Sequence, residues 1–272
     1  MFSSFMLNSW IVATMVAIVA GVTGMFVIIR GNTFAAHTLP LSTFPGAAAA
    51  KLIGVNEFWG LITFAVLGVV GISQLSRHQR NDVATALTLI TLLGLGTLFL
   101  SLSNEYSQGV YALLFGQVLG VSRGEIGPVA LLSVVAVGLM ILLFRPLLLN
   151  SVSPDLGTAR GISNQRIALL FLAILGLATA MALPVVGALL VFSLMLGPAS
   201  AARLLTDRPV RALGLCVSIA LATVWLALAL SYTTNWPVGF FVGGFAALSY
   251  GLGRGWAWAR AARSIHEVIA GR

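Results

Sequence analysis

Ile167-Ala-Leu-Leu-Phe-Leu-Ala-Ile-Leu-Gly-Leu-Ala-Thr-Ala-Met-Ala-Leu-Pro184-Val-Val-Gly187-Ala-Leu-Leu-Val-Phe-Ser-Leu-Met-Leu-Gly-Pro198-Ala-Ser-Ala-Ala-Arg203-Leu-Leu205 carries one charged side chain, Arg203. A membrane-spanning helix needs about 20 mostly apolar residues, so this stretch is too long for one crossing and long enough for two. Pro184 and Gly187 interrupt it near the middle, which gives back-to-back spans at Ile167 to Val186 and Gly187 to Leu205. The rest of the chain has the same character. Of 272 residues, 59% are hydrophobic and 8% charged, with a mean hydropathy of +1.02. A soluble fold cannot keep a polar exterior around that much apolar surface. The expected fold is therefore all-α, a polytopic transmembrane helical bundle.

Working outward, further apolar runs bounded by breakers fall at Ser9 to Ile29, Thr33 to Ile53, Phe58 to Leu75, Val83 to Leu102, Gly127 to Leu149, Ala212 to Tyr232 and Val238 to Gly253. The expectation is roughly eight or nine spans in a single transmembrane domain covering residues 1–272. Val110 to Leu119 is too short to cross and reads as a re-entrant or half-helix inside the bundle. The first ten residues contain no Lys or Arg; they lack the basic start of a cleaved signal peptide, and the first run reads as a retained span.

The net charge of +8 does not mark a nucleic-acid binder, because the bases stand singly at the ends of apolar runs. With the N-terminus outside, the inner segments are Arg30, Arg77 to Arg80, Arg145 to Arg166, Arg203 to Arg211 and the tail 254–272. Only Lys51 and Arg123 of the 15 Lys and Arg residues are left outside. That asymmetry places the C-terminus in the cytoplasm.

His37 is the one ionisable side chain well inside an apolar segment, Thr33 to Ile53. A charged group at that depth costs about 2.5 to 3.5 kcal/mol on insertion scales, so it faces a cavity, a partner or a pathway. Two readings stand: a lining residue of a route across the membrane, with Thr38 and Ser42 beside it, or a packing histidine bonded to a carbonyl freed by Pro40 or Pro45. His78 and His266 read as solvated groups. Glu57 and Glu105 lie at outer helix ends, where they form an acidic vestibule or merely aid solubility. Cys216, the single cysteine, forms neither an intrachain disulfide nor a thiolate metal site.

Enzyme chemistry lacks its parts. Gly120-Val-Ser122-Arg-Gly124 matches G-x-S-x-G, yet a nucleophile elbow needs a strand, a sharp turn and His and Asp partners. No phosphate-binding G-x-x-x-x-G-K-[ST] occurs, so ATP hydrolysis is not expected of this chain. The inner connection Asn150 to Arg166 reads as a short helix: Ser153 suits the N-cap, Pro154 the first turn, Asp155 the positive dipole end and Gly161 the stop.

Several segments together resemble one family, the membrane subunits of ABC transporters that import zinc, manganese or iron. Ser153-Pro-Asp-Leu-Gly-Thr-Ala-Arg-Gly161 is similar to its D-P-E-L-A-x-x-x-G helix, and Val185 to Leu205 to its V-V-G-x-L-L-V-x-x-L-L-x-x-P-A-x-x-A-R-L-L stretch. Leu114 to Ser122 resembles L-F-G-x-x-L-x-V-S, and Phe44-Pro45-Gly46 aligns with L-P-G. The resemblance implies a homodimeric permease with no catalytic residues and no stably bound cofactor, carrying a divalent metal transiently, zinc first and manganese second. It implies a separate cytoplasmic ATPase dimer and an extracytoplasmic metal-binding protein. On it, residues 150–166 hold a coupling helix that meets the ATPase through Pro154, Asp155, Leu156, Arg160 and Gly161.

The family carries Asp and, four residues later, His before L-P-G, two ligands on one helix face. Here those positions are His37 and Leu41. One imidazole per subunit gives at most two in a dimer, a donor that suits zinc better than harder ions, supplemented by Thr38, Ser42 or water. A chelated metal and a stand-alone secondary transporter are the alternatives; the latter needs intramembrane carboxylates and a repeat, and neither is evident.

Overall fold

The structure is a computed structural model that describes residues 4–76, 81–102 and 121–270, with side chains over 6–260 of these. The expected half-helix at Val110 to Leu119, Glu105 and His78 lie outside the described residues, as does the side chain of His266. The described residues form helices joined by short turns, with no strand among them. In chain order these are α1 Ser4–Arg30, α2 Thr33–Ile53, α3 Glu57–Leu75, α4 Asn81–Ser101, α5 Arg123–Leu142, α6 Phe144–Val152, α7 Pro154–Ala159, α8 Asn164–Val186, α9 Ala188–Leu205, α10 Pro209–Thr234 and α11 Val238–Ala270.

Apolar runs in a membrane must satisfy their backbone within each segment, which leaves the helix as the solution. Seven helices, α1, α3, α4, α5, α8, α9 and α10, have the length and apolarity of a membrane crossing. Two expected spans fall short of that apolarity for local reasons. α2 is diluted by Thr, Ser, Pro and Ala and hides 13 of its 21 residues against other helices. α11 runs on past Gly253 into the Arg- and Trp-rich segment that starts at Arg254.

α1 and α8 lie at the centre. α2, α3 and α4 pack on one side, α9, α10 and α11 on the other, and α5 leans against α1 and α8. The core is Val, Ala, Leu and Met of α1 and α8 with Phe26 and Phe171 fully enclosed. Outward-facing Leu131, Val134, Ile141 and Leu142 of α5 are 65–74% exposed, a surface suited to lipid tails and not to water.

The run Gly127 to Leu149, expected as one span, is two helices. Pro146 has no N–H for the Leu142 carbonyl and its ring crowds that group, so the chain turns at Leu143 (φ −90°, ψ 3°) and restarts as α6. Ser153 precedes α7 as expected but makes no side-chain cap bond. α7 stops as its sequence suggests. Gly161 takes φ +75°, and the bonds from Gly161 N–H to the Thr158 carbonyl and from Ile162 N–H to the Gly157 carbonyl, both 2.9 Å, form a Schellman closure.

Small residues set the helix spacing, since lipid offers no hydrophobic drive for helices to associate. The α2–α3 crossing is the closest: a Cβ added at Gly46 collides with the Gly60 carbonyl, and one added at Gly60 collides with the Gly46 carbonyl. Gly24 of α1 abuts the Met195 backbone of α9 in the same way, and a Cβ added at Gly176 of α8 would stand 3.0 Å from Val69 Cγ2 of α3. Gly243, which shares helix-packing spacing with Gly239, opens on empty space. Gly46→Ala is therefore expected to cost about 1–3 kcal/mol through forced separation of α2 and α3. A lower melting temperature of the detergent-solubilised protein reads this, with Gly243→Ala unchanged as the control.

Candidate transport path and inner coupling face

α2 carries the ionisable residue and is packed by α3, α4, α8 and α9. Pro40 and Pro45 lie inside it, which leaves the Ala36 and Leu41 carbonyls without their intrahelical donors. Phe34 is 38% exposed, and His37 and Leu41 are half-buried. At intervals of three and four residues these form one open stripe on an otherwise enclosed helix.

His37 faces α9. Its ring meets Phe192 edge to face, with centroids 4.8 Å apart and planes at 65°. No bond from His37 to a backbone carbonyl is found among the described residues, so packing against an aromatic ring, and not a freed carbonyl, holds the imidazole. Thr38 and Ser42 look the other way, one turn apart. Ser42 Cβ stands 3.4 Å from where Gly68 of α3 would carry a Cβ. The structure thus sets the imidazole and the two hydroxyls on different sides of α2.

Those hydroxyls are unusual for this bundle. Thr14, Thr23, Thr88 and Ser133 each donate to the carbonyl four residues back, at 2.7–2.9 Å, the ordinary resting place of a hydroxyl in an apolar helix. Thr43 donates to the Pro40 carbonyl at 2.8 Å. The Thr38 and Ser42 hydroxyls are fully buried and have no partner among the described residues.

At the opposite end of α2, Glu57 is not a free carboxylate. Lys51 Nζ lies 3.1 Å from its Oε1, and the pair closes the α2–α3 turn while Asn56 Oδ1 accepts the Phe58 N–H at 2.9 Å. Both charges are partly exposed, so the pair contributes about 0–1 kcal/mol, yet it offsets the negative charge of Glu57.

The residues expected to meet an ATPase lie together as a small platform. Pro154, Asp155, Leu156, Arg160 and Gly161 are all exposed, Leu156 at 58%, while Gly157 turns inward and is buried. Ser122, the hydroxyl of the G-x-S-x-G match, stands at the N-terminus of α5, and its N–H donates to Glu125 Oε2 at 2.9 Å. That is a helix cap and not a nucleophile elbow. No group of three His, Cys, Asp or Glu side chains able to hold a metal ion occurs among the described residues.

Residues 2–250 match the family model of the ABC 3 transport family. The chain belongs to that family. Among its relatives, the manganese transport system membrane protein MntC of Listeria monocytogenes serovar 1/2a is 28% identical over 234 residues, 85% of this chain and 83% of that protein. The chelated iron transport system membrane protein YfeC of Yersinia pestis is 27% identical over 239 residues, 87% of this chain and 81% of that protein. The solved structure of PsaBC from Streptococcus pneumoniae in complex with Fab superposes with a TM-score of 0.83 at 25% identity, over 92% of this chain and 91% of that one. As an ABC 3 chain it is a transport subunit and not itself an enzyme. The family's glycine at position 46 and left-handed glycine at position 161 both have a structural reason here, the α2–α3 contact and the α7 stop.

Two features escape the sequence. Phe192 sits in an apolar run with nothing to distinguish it, and Arg30 reads only as a topology signal. Pairs of lone polar residues at span ends, such as Arg30 with Asn150, are the one signal that points to the second. Thr38→Val and Ser42→Ala remove hydroxyls that have no partner among the described residues, so each is expected to leave stability unchanged or raise it, by no more than about 1 kcal/mol. Thermal melts of the purified variants test this; a clear loss of stability would reveal a partner for the hydroxyl.

Proposed function

We propose that this chain, residues 1–272 as one transmembrane domain, is the permease of a bacterial ABC importer for a divalent transition metal. It works as a homodimer in the inner membrane, N-terminus outside and C-terminus inside, with α2 and α11 crossing beside the seven strongly apolar helices. An extracytoplasmic binding protein delivers the ion, a cytoplasmic ATPase dimer docks on loop 150–166, and the tail 254–272 stays on the same side. The permease supplies a path and its partner hydrolyses ATP.

The observation that supports this reading is the open stripe of α2. Within the largely buried part of α2, Phe34 is exposed and His37 and Leu41 are half-buried, and a second copy facing this stripe encloses a path between two imidazoles. Two imidazoles, with water oxygens, make a shallow site that an ion enters and leaves. Asp155 on α7 and Arg160 just after it give the ATPase a polar contact beside the apolar Leu156 and Pro154.

For the ion, the sequence favours zinc on imidazole chemistry, whereas the Listeria relative is named for manganese; manganese is placed first and zinc second. A second cargo, a chelated metal, draws support from the Yersinia relative and from the absence of a three-ligand cluster among the described residues. A chelate brings its own ligands and needs only a lined path.

Reconstituted with its ATPase and binding protein, the wild-type permease is expected to take up manganese(II) in an ATP-dependent manner, with zinc(II) as competitor. His37→Ala lowers uptake about tenfold, the order of one lost ligand contact, with assembly intact. Unchanged uptake removes His37 from the path. Asp155→Ala and Gly161→Val are expected to weaken ATPase co-purification, Gly161→Val because φ +75° strains a β-branched side chain; full co-purification of both removes α7 from the docking surface.

A further inference from the structure

A partly buried polar cluster joins α7 to the corner between α1 and α2. Arg30, the last residue of α1, donates from Nη1 to Asn150 Oδ1 and to Ser151 Oγ, each at 3.3 Å. Its guanidinium lies over the Phe171 ring of α8, 5.4 Å from the centroid, a cation–π contact that suits a planar cation in an apolar place. Ser151 donates its own proton to the Leu147 carbonyl at 2.6 Å, which leaves its lone pairs for Arg30. Asn150, 6% exposed, passes the contact on: Nδ2 donates to Oδ1 of Asn164, the first residue of α8.

Asn150 and Asn164 bracket α7. Gly157, the buried residue of α7, rests on them: a Cβ there would stand 3.6 Å from Asn150 Nδ2 and 3.9 Å from Asn164 Oδ1. The platform read as the ATPase dock is therefore floored by two amides, and one of them is held by Arg30.

The other end of Arg30 is equally firm. α1 closes with Gly31 at φ +67° and with bonds from Gly31 N–H to the Ile28 carbonyl at 3.3 Å and from Asn32 N–H to the Val27 carbonyl at 3.0 Å. The Asn32 carbonyl then accepts the Ala36 N–H at 3.0 Å, so α2 starts at once and His37 lies about one turn inside it. A corner this short cannot absorb a shift of Arg30, and the start of α2 must follow. Arg30 Nε is buried without a partner among the described residues.

We propose that Arg30 is a positioning residue that carries displacement of α7, through Asn150, to the start of α2, and so ties events at the cytoplasmic face to the His37 path. This rests on the proposed ATPase docking at α7. The test uses the complete transporter in liposomes, with manganese(II) as the probe, and reads ions taken up per ATP hydrolysed. Arg30→Gln and Asn150→Ala are each expected to lower that ratio about tenfold while hydrolysis changes less than about twofold. The double variant falls no further than either single one, because both break the same link. A wild-type transporter without ATP-driven manganese uptake overturns the proposed function itself. A working wild type with an unchanged ratio in both variants overturns the positioning role alone. Uptake and hydrolysis falling in proportion, or lost assembly in both variants, makes the cluster merely structural and overturns it too.

Discussion

The contact of the Gly46 and Gly60 backbones decides how the rest of this permease is arranged. It lets α2 lie closer to α3 than any side chain would permit, and only then do Pro45 and Phe44 reach α4 at Gly96. A helix so deeply held needs little apolarity of its own. Hence α2 can carry an imidazole, hydroxyls and two prolines that would be expensive on a lipid-facing helix. The polar content that marks α2 as functional depends on the packing that hides it.

On the proposed function, energy reaches that helix from the side of α7. Among the described residues a polar chain runs from Asn150, which borders Gly157, to Arg30 at the tight α1–α2 corner. Two polar groups with discrete partners give direction to a movement.

Much of this was legible in the sequence. The membrane class followed from composition. The Ile167–Leu205 stretch divides at Gly187 as expected, and Thr33 to Ile53 is one helix with those bounds. The break at Leu143 was missed because Pro146 was read within an apolar run and not as a missing donor for Leu142. The pairing of Glu57 with Lys51 and of His37 with Phe192 was hidden for a different reason: side-chain direction comes from packing, not from spacing. Arg30 and Asn150 are 120 residues apart, and each alone looks like a span end. Only the fold reveals that they meet.

The central claim, that α2 is the wall of the path, is tested most directly by thiol accessibility. With Cys216, the single native cysteine, replaced by Ala, a cysteine at position 37 is compared with one at Val134, a residue of α5 that is 72% exposed. In the assembled transporter a water-soluble, membrane-impermeant thiol reagent should label position 37 at a rate that changes when ATP is added, and leave position 134 unlabelled in its lipid surroundings. Position 37 inert to that reagent with and without ATP would contradict the account.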